Sequence, residues 1–129
     1  MKNWFAIIFC QVLSFTAGAY AQTPKKFRLH VNYPHAMETD ISIHFDPLKK
    51  DYVISDQHVE SVVVEHLFKK LWSETPPLES WPNSEPCFNT TSWSVHLDGQ
   101  TKKICQNKKI IQGLKNFEKS LSLILRPRL

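Results

Sequence analysis

The chain has 129 residues, of which 42% are hydrophobic and 22% charged, and its formal net charge at neutral pH is +4. This length suits one domain with one hydrophobic core. The sequence has only 3 glycines, widely separated, which argues against the glycine-rich loops that hold phosphates and dinucleotides, so no cofactor is predicted.

The N-terminus has the three parts of a secretory signal peptide. Met1-Lys2-Asn3 is a short positive start, Trp4 to Phe15 is apolar, and Ala19-Tyr20-Ala21 is a cleavage site of the A-x-A type. The apolar run is shorter than the roughly 20 residues that cross a bilayer, and no later stretch is long and apolar enough. We therefore predict that residues 1–21 are removed. The mature chain, residues 22–129, is then a single domain that is secreted or periplasmic and does not span a membrane.

The first predicted elements of the mature chain are two strands that form a hairpin. Phe27 to Tyr33 and Ile41 to Phe45 alternate apolar with polar residues, which is typical of half-buried strands. A register that keeps the apolar residues on one face predicts these pairs: Tyr33–Ile41, Val31–Ile43, Leu29–Phe45 and, on the other face, His30–His44.

A connection and a helix are predicted next. Asp46 to Tyr52 is polar, and Ser55 or Asp56 is suited to cap a helix that extends to about Trp72. The apolar positions repeat at helical spacing: Val59, Val63, Val64, Leu67, Phe68 and Leu71. Valine has low helix propensity, so the run from Val62 to Val64 also suits a strand, but the length of the pattern and its polar stripe favour the helix.

A long loop follows, from Ser73 to Thr91, because prolines interrupt regular structure throughout it. Long ordered loops are often functional. Trp81 and Phe88 have two interpretations: they pack the loop onto the body of the protein, or they present a binding surface. Asn89-Thr90-Thr91 is a glycosylation sequon.

A second hairpin and a disulfide are predicted after the loop. Trp93 to Leu97 alternates, and Asp98-Gly99 is the strongest turn motif in the chain. A two-residue turn places Trp93 opposite Ile104, with Cys105 at the same end. Once Cys10 leaves with the leader, Cys87 and Cys105 remain, and an even number of cysteines in an oxidising compartment predicts that they form a disulfide.

The last predicted element is an amphipathic helix over about 107–125. Four basic residues form one line on its polar side: Lys108, Lys115, Lys119 and Arg126. This basic stripe is either a solvated helix face or a surface that binds anionic polysaccharide or lipid headgroups. Nucleic acid is not predicted as a partner, since the chain carries an export signal and aromatic residues do not interleave with these lysines.

These elements predict an α+β fold in the order β-β-α-β-β-α, a four-stranded antiparallel sheet with both helices on one face. His30, His44 and His96 then share the open face of the sheet. Three imidazoles that converge there would suit zinc, whereas separated histidines would be ordinary surface residues.

No catalytic motif is present. The chain lacks the G-x-S-x-G elbow of serine hydrolases, and its carboxylates are dispersed. The leading interpretation is therefore a small exported binding protein without enzymatic activity, whose partner is a protein in the extracellular space or periplasm. An inhibitor of an exported hydrolase is one concrete form. The alternatives are a metal-binding protein or metal-dependent enzyme that uses the three histidines, and a binder of anionic surfaces that uses the basic stripe.

The element order, the W-S-V-H-L-D-G-Q hairpin from Trp93 to Gln100 and the closing helix resemble the emfourin type of bacterial metalloprotease inhibitor. The resemblance covers nearly all of the mature chain as a pattern, and it implies protease inhibition. In that family a glycine-rich segment lies in the first hairpin, where this chain has Asn32 to Met37. No inhibitory residue is therefore assigned from the resemblance.

Overall fold

The computed structural model describes residues 22–125, which form an antiparallel sheet with helices packed on one of its faces. The predicted signal peptide and residues 126–129 lie outside the described residues. In chain order the elements are β1 (Lys26–Asn32), β2 (Thr39–Asp46), β3 (Asp51–Ile54), β4 (Gln57–Val59), α1 (Ser61–Glu74), a 3-10 turn (Leu78–Ser80), β5 (Ser92–Leu97), β6 (Gln100–Ile104) and α2 (Lys108–Ile124).

The sheet has six strands within residues 22–125, in the order β4-β3-β2-β1-β5-β6, and every neighbouring pair is antiparallel. The α+β class and the antiparallel sheet are confirmed. The prediction of four strands in the order β-β-α-β-β-α is wrong, because a second hairpin, β3–β4, precedes α1.

The β3–β4 hairpin occupies residues that were predicted to form a connection and the start of a helix. Ser55 and Asp56 form its turn and have φ angles of 50° and 63°. A two-residue hairpin turn of type I′ requires positive φ at both central positions, and Asp and Ser are common turn residues. The predicted helix therefore begins later, at Ser61.

The first hairpin keeps the predicted faces but has a different register. The structure pairs Val31 with Thr39 instead of Ile43, a shift of four residues along β2, and it pairs Phe27 with Ile43. In this register the Phe27 ring lies 5.0 Å from the Phe68 ring and 5.3 Å from the Phe117 ring, between the two helices. The alternation of polarity determines the face of a strand, but an even shift leaves that face unchanged, so the pattern alone could not select the register.

The β5–β6 hairpin and the closing helix agree with the prediction. Trp93 pairs with Ile104, and the turn residues Asp98 and Gly99 have φ angles of 43° and 90°. The Asn107 side chain caps α2 by accepting a hydrogen bond from the Ile110 N–H at 3.2 Å.

The Asp98 carboxylate joins the turn of the β5–β6 hairpin to the start of β1. It accepts hydrogen bonds from the backbone N–H of Lys25 at 3.1 Å and of Lys26 at 2.9 Å. The chain that precedes β1 is therefore held against the end of the central strands.

The core lies between the sheet and the two helices, and it includes Trp81 from the proline-rich loop. Its members are almost fully buried: Phe27, Leu29, Val31, Ile43, Tyr52, Ile54, Val64, Leu67, Phe68, Leu71, Trp81, Trp93, Val95, Leu97, Ile104, Ile110, Leu114, Phe117 and Leu121. Among the described residues, no helix has the length and apolar character that a membrane crossing requires.

The close approach of the two helices depends on Gly113. A Cβ atom at this position would overlap Thr75 Cγ2, and the Thr75 hydroxyl donates a hydrogen bond to the Leu71 carbonyl at 2.8 Å. We expect Gly113→Ala to lower the free energy of unfolding by about 1–3 kcal/mol, because overpacking outweighs the gain in helix propensity.

Thr75→Ser supplies the matched background, since it removes Cγ2 and keeps the hydroxyl. In that background Gly113→Ala should be neutral or stabilising by up to about 1 kcal/mol. Urea denaturation of the wild type, the two single variants and the double variant measures both effects. An equal penalty in both backgrounds would contradict the assignment of the overlap to Thr75 Cγ2.

Candidate interaction site

Strand pairing brings three loop segments to one end of the sheet. Asn32 pairs with Ser92, and Trp93 pairs with Ile104. The hairpin loop 33–38, the segment 85–91 and the connection 105–107 therefore lie together, and we call this region the loop end.

The proline-rich loop runs along the outer edge of β6. The Lys103 N–H donates to the Asn83 carbonyl at 3.2 Å, and the Glu85 N–H donates to the Lys103 carbonyl at 3.1 Å. These bonds cover an edge strand that would otherwise offer unpaired backbone groups to other chains. They also determine where the rest of the loop lies.

The Glu85 carboxylate strengthens this attachment. Its Oε1 atom accepts backbone hydrogen bonds from Cys105 at 2.9 Å and from Gln106 at 3.1 Å. The Gln106 side chain in turn donates to the Pro86 carbonyl at 3.1 Å. Hydrogen bonds to a charged acceptor are stronger than neutral ones, so this one carboxylate holds both the loop and the chain that leads into α2.

A disulfide completes the attachment. Cys87 and Cys105, 18 residues apart, are joined as predicted. In the chain-entropy model a disulfide that closes a loop of this length stabilises the folded state by about 3 kcal/mol, because it restricts the unfolded chain. The residue after Cys87 is Phe88, which is therefore tied closely to the body of the protein.

Two large apolar side chains at the loop end face solvent. Phe88 is 85% exposed and Met37 is 88% exposed. The hairpin loop that carries Met37 follows β1, and the segment that carries Phe88 precedes β5, the strand that pairs with β1. The loop end is thus an attached surface with exposed apolar groups.

Trp81, the other aromatic residue predicted as a binding candidate, has a different place. It is 2% exposed, its indole N–H donates to the Pro76 carbonyl at 2.9 Å, and its ring lies 6.0 Å from the Trp72 ring. Trp81 is a core residue in this structure, which corrects its interpretation as a contact residue. Of the pair, only Phe88 is available to a partner.

The three sheet-face histidines are not brought together. His30 pairs with Asp40 and Ser94, whereas His44 pairs with Lys26 and Val53. His96 pairs with Thr101 and Arg28, in a third row of the sheet. Strands are about 4.8 Å apart and residues rise about 3.3 Å, so His44 lies too far from the other two to share a metal ion with them.

Each of His30 and His96 has a nearer partner. His30 Nε2 lies 3.4 Å from Glu38 Oε2, and His96 Nδ1 lies 3.0 Å from Thr101 Oγ1. Next to them Arg28 donates two hydrogen bonds to Asp40, at 3.0 Å and 2.6 Å. These bonds hold the pKa of Asp40 below its usual value and raise the pKa of Arg28.

Another set of possible metal ligands arises from the hairpin that was not predicted. Within residues 22–125, one group of three such side chains has ligand atoms within 4.8 Å of one another: Asp46, Asp51 and His58. Sequence reasoning missed it because β4 was assigned to a helix.

Local contacts already involve all three of these groups. Asp46 Oδ1 accepts the Leu48 N–H at 3.0 Å, and His58 Nδ1 lies 3.0 Å from Asp51 Oδ1. These contacts stabilise the corner at which β2, β3 and β4 meet.

The basic stripe is on the surface of α2. Lys108, Lys115 and Lys119 are exposed, and Arg126 lies outside the described residues. The stripe therefore has three described positions on one polar face.

No protein-family model, curated protein or solved structure matches the chain. The resemblance to emfourin-type inhibitors stays a prediction.

The different burial of the two loop aromatics leads to a stability prediction. We expect Trp81→Ala to destabilise the fold by about 3–5 kcal/mol, because it leaves a core cavity and removes a hydrogen bond. Phe88→Ala should change the free energy of unfolding by less than about 0.5 kcal/mol. Denaturant unfolding of both variants measures the difference, and a large loss with Phe88→Ala would show that its ring packs against the body.

The Arg28–Asp40 pair leads to a pH prediction. Because the pKa of Asp40 is lower in the folded state, its contribution to stability is present above the unfolded pKa near 3.9 and is lost as pH falls through the folded pKa. In Arg28→Gln the pKa of Asp40 should rise toward its ordinary value. Arg28→Lys keeps the positive charge but cannot form the bidentate hydrogen bonds, so it should have an intermediate effect on the pKa of Asp40. NMR titration of the Asp40 carboxyl carbon measures this, and an unchanged pKa in Arg28→Gln would be the contrary result.

Proposed function

We propose that this chain is an exported protein-binding module that acts by surface contact and not by catalysis. Its docking surface is the loop end, and Phe88 is the central contact. The observation that carries the proposal is that an 85% exposed phenylalanine follows directly after a disulfide-bonded cysteine in a hydrogen-bonded segment.

The attachment of the segment supports this proposal. Binding costs free energy when loops and side chains become ordered, and a segment that is already fixed avoids much of this cost. The backbone bonds to Lys103, the Glu85 carboxylate and the disulfide hold the chain on both sides of Pro86. An exposed apolar side chain on such a segment has a fixed position from which to enter a pocket.

The chemistry of the loop end indicates the kind of partner. Phenylalanine and methionine are enriched in the cores of protein interfaces, with polar residues around them. Around Phe88 and Met37 the exposed residues of the loop end are polar or small, among them His35, Glu38 and Asn89. A partner with an apolar cleft in the extracellular space or periplasm fits this surface, and an exported hydrolase that the protein inhibits is the concrete form we propose.

A matched pair of variants tests the docking surface. Leu48 is 93% exposed, but it follows β2 at the opposite end of the sheet, so Leu48→Ala is the control for loss of an exposed apolar side chain. The mature wild-type chain, the Phe88→Ala variant and the Leu48→Ala control are immobilised and exposed to the extracellular or periplasmic fraction of the natural source. Captured proteins are identified by mass spectrometry, and the affinity of the main one is then measured.

We expect Phe88→Ala to weaken that affinity about 10- to 100-fold, as truncation of an interface hot spot does, and Leu48→Ala to leave it unchanged. Met37→Ala should have a smaller effect in the same direction. Equal binding by wild type and Phe88→Ala would refute the assignment of the docking surface to the loop end.

A second candidate function is contact with an anionic surface, which the three exposed lysines of the basic stripe favour. It predicts that Lys115→Glu with Lys119→Glu elutes from a heparin column at clearly lower salt than the wild type, because fewer cations contact the polyanion. Elution at the same salt as the wild type would remove this candidate.

A further inference from the structure

Gln22 combines a sequence feature and a structural feature that the proposed docking surface does not use. It is the residue that follows the predicted cleavage site after Ala21, and its side chain is exposed. Its main-chain carbonyl accepts a hydrogen bond from the Trp72 indole N–H at 3.1 Å. Gln22 also lines a cavity of about 490 Å³, together with Trp72, Pro76 and Leu78.

The short segment after Gln22 is anchored to the body of the protein. Pro24 is buried, and the backbone N–H groups of Lys25 and Lys26 donate to the Asp98 carboxylate. The fold therefore holds Gln22 by its carbonyl and by the residues that follow it, at the end of the sheet opposite to the loop end.

We propose that Gln22 is a modification site at which the mature N-terminus cyclises to pyroglutamate. The inference rests on the export that is part of the proposed function. Cleavage after Ala21 leaves Gln22 with a free α-amine. Its nitrogen attacks the side-chain carboxamide carbon Cδ, a lactam C–N bond forms, and the Cδ–NH2 bond breaks to release ammonia. No oxidant, reductant or second substrate is consumed.

The chemistry of the α-amine suits this reaction. Only the neutral amine is a nucleophile, and an N-terminal amine with a pKa near 7.7–8.0 is partly neutral at ordinary pH. Both reacting groups belong to the same exposed residue, so the fold does not have to move for the ring to close. The atom that the fold does hold, the main-chain carbonyl oxygen, is not consumed, and its hydrogen bond with Trp72 is kept.

The modification changes the charge of this end of the molecule. A second cavity is lined by Gln22 and by several charged residues. These are Lys25, Lys50, Lys69, Glu65 and Asp98. An open N-terminus would add an ammonium group beside the three lysines. The lactam is neutral, so cyclisation removes one positive charge from this cluster and leaves an end that ordinary aminopeptidases do not attack.

The proposal is tested by analysing the N-terminus of the exported protein, purified from its natural source. The intact mass should be that of residues 22–129 less the two hydrogens lost when the disulfide forms and less the one ammonia lost on cyclisation. Edman degradation should be blocked, and treatment with pyroglutamate aminopeptidase should release the block and expose Thr23. The Gln22→Ser variant keeps the A-x-A site and cannot form the lactam, so it should give a readable N-terminus that begins with Ser.

Two contrary results are distinguishable. An N-terminal Gln22 that stays open through prolonged incubation at neutral pH would overturn the cyclisation and leave the export intact. A chain that still begins at Met1, or at a residue other than Gln22, would overturn the cleavage site on which the inference depends. Capture of a partner through Phe88, at the opposite end of the sheet, is measured independently of either result.

Discussion

The pairing of the proline-rich loop with the edge of β6 determines the arrangement of one whole side of this protein. The backbone bonds of Asn83 and Glu85 with Lys103 place the loop beside the sheet. Because the loop lies there, Cys87 reaches Cys105, and the Glu85 carboxylate reaches the backbone at the start of the α2 connection. Phe88, the residue after Cys87, is exposed to solvent. A chain of this size buries a limited share of its surface, so a covalent bond and a shared carboxylate are effective means of fixing a long loop.

Much of the fold could be predicted from the sequence where local chemistry and long-range packing agree. The Asp98-Gly99 turn, the strands beside it and α2 were identified because each has one dominant local pattern. The β3–β4 hairpin was not identified, because residues such as Ser55 and Asp56 serve equally well as helix caps and as turn residues. The register of the first hairpin was not identified, because every even shift of β2 keeps the same residues on the same face.

The candidate site was predictable to a smaller extent. The disulfide followed from the count of cysteines that remain after the predicted loss of the leader, but composition could not separate the two loop aromatics. Trp81 lies in the core, where its indole N–H donates to the Pro76 carbonyl, whereas Phe88 follows the disulfide-bonded Cys87 and is exposed. The histidines share a face as expected, yet their separation depends on the register, which the alternation left open. The Asp46, Asp51 and His58 corner depends on a strand that was not predicted.

Backbone 15N relaxation tests most directly whether the segment before Phe88 is as rigid as β6, the strand to which it is hydrogen-bonded. The amides of Glu85, Cys87 and Phe88 should have order parameters near those of β5 and β6, about 0.85. Values below about 0.6 for these residues in the disulfide-bonded protein would contradict the account, because a mobile Phe88 would not be a preformed contact.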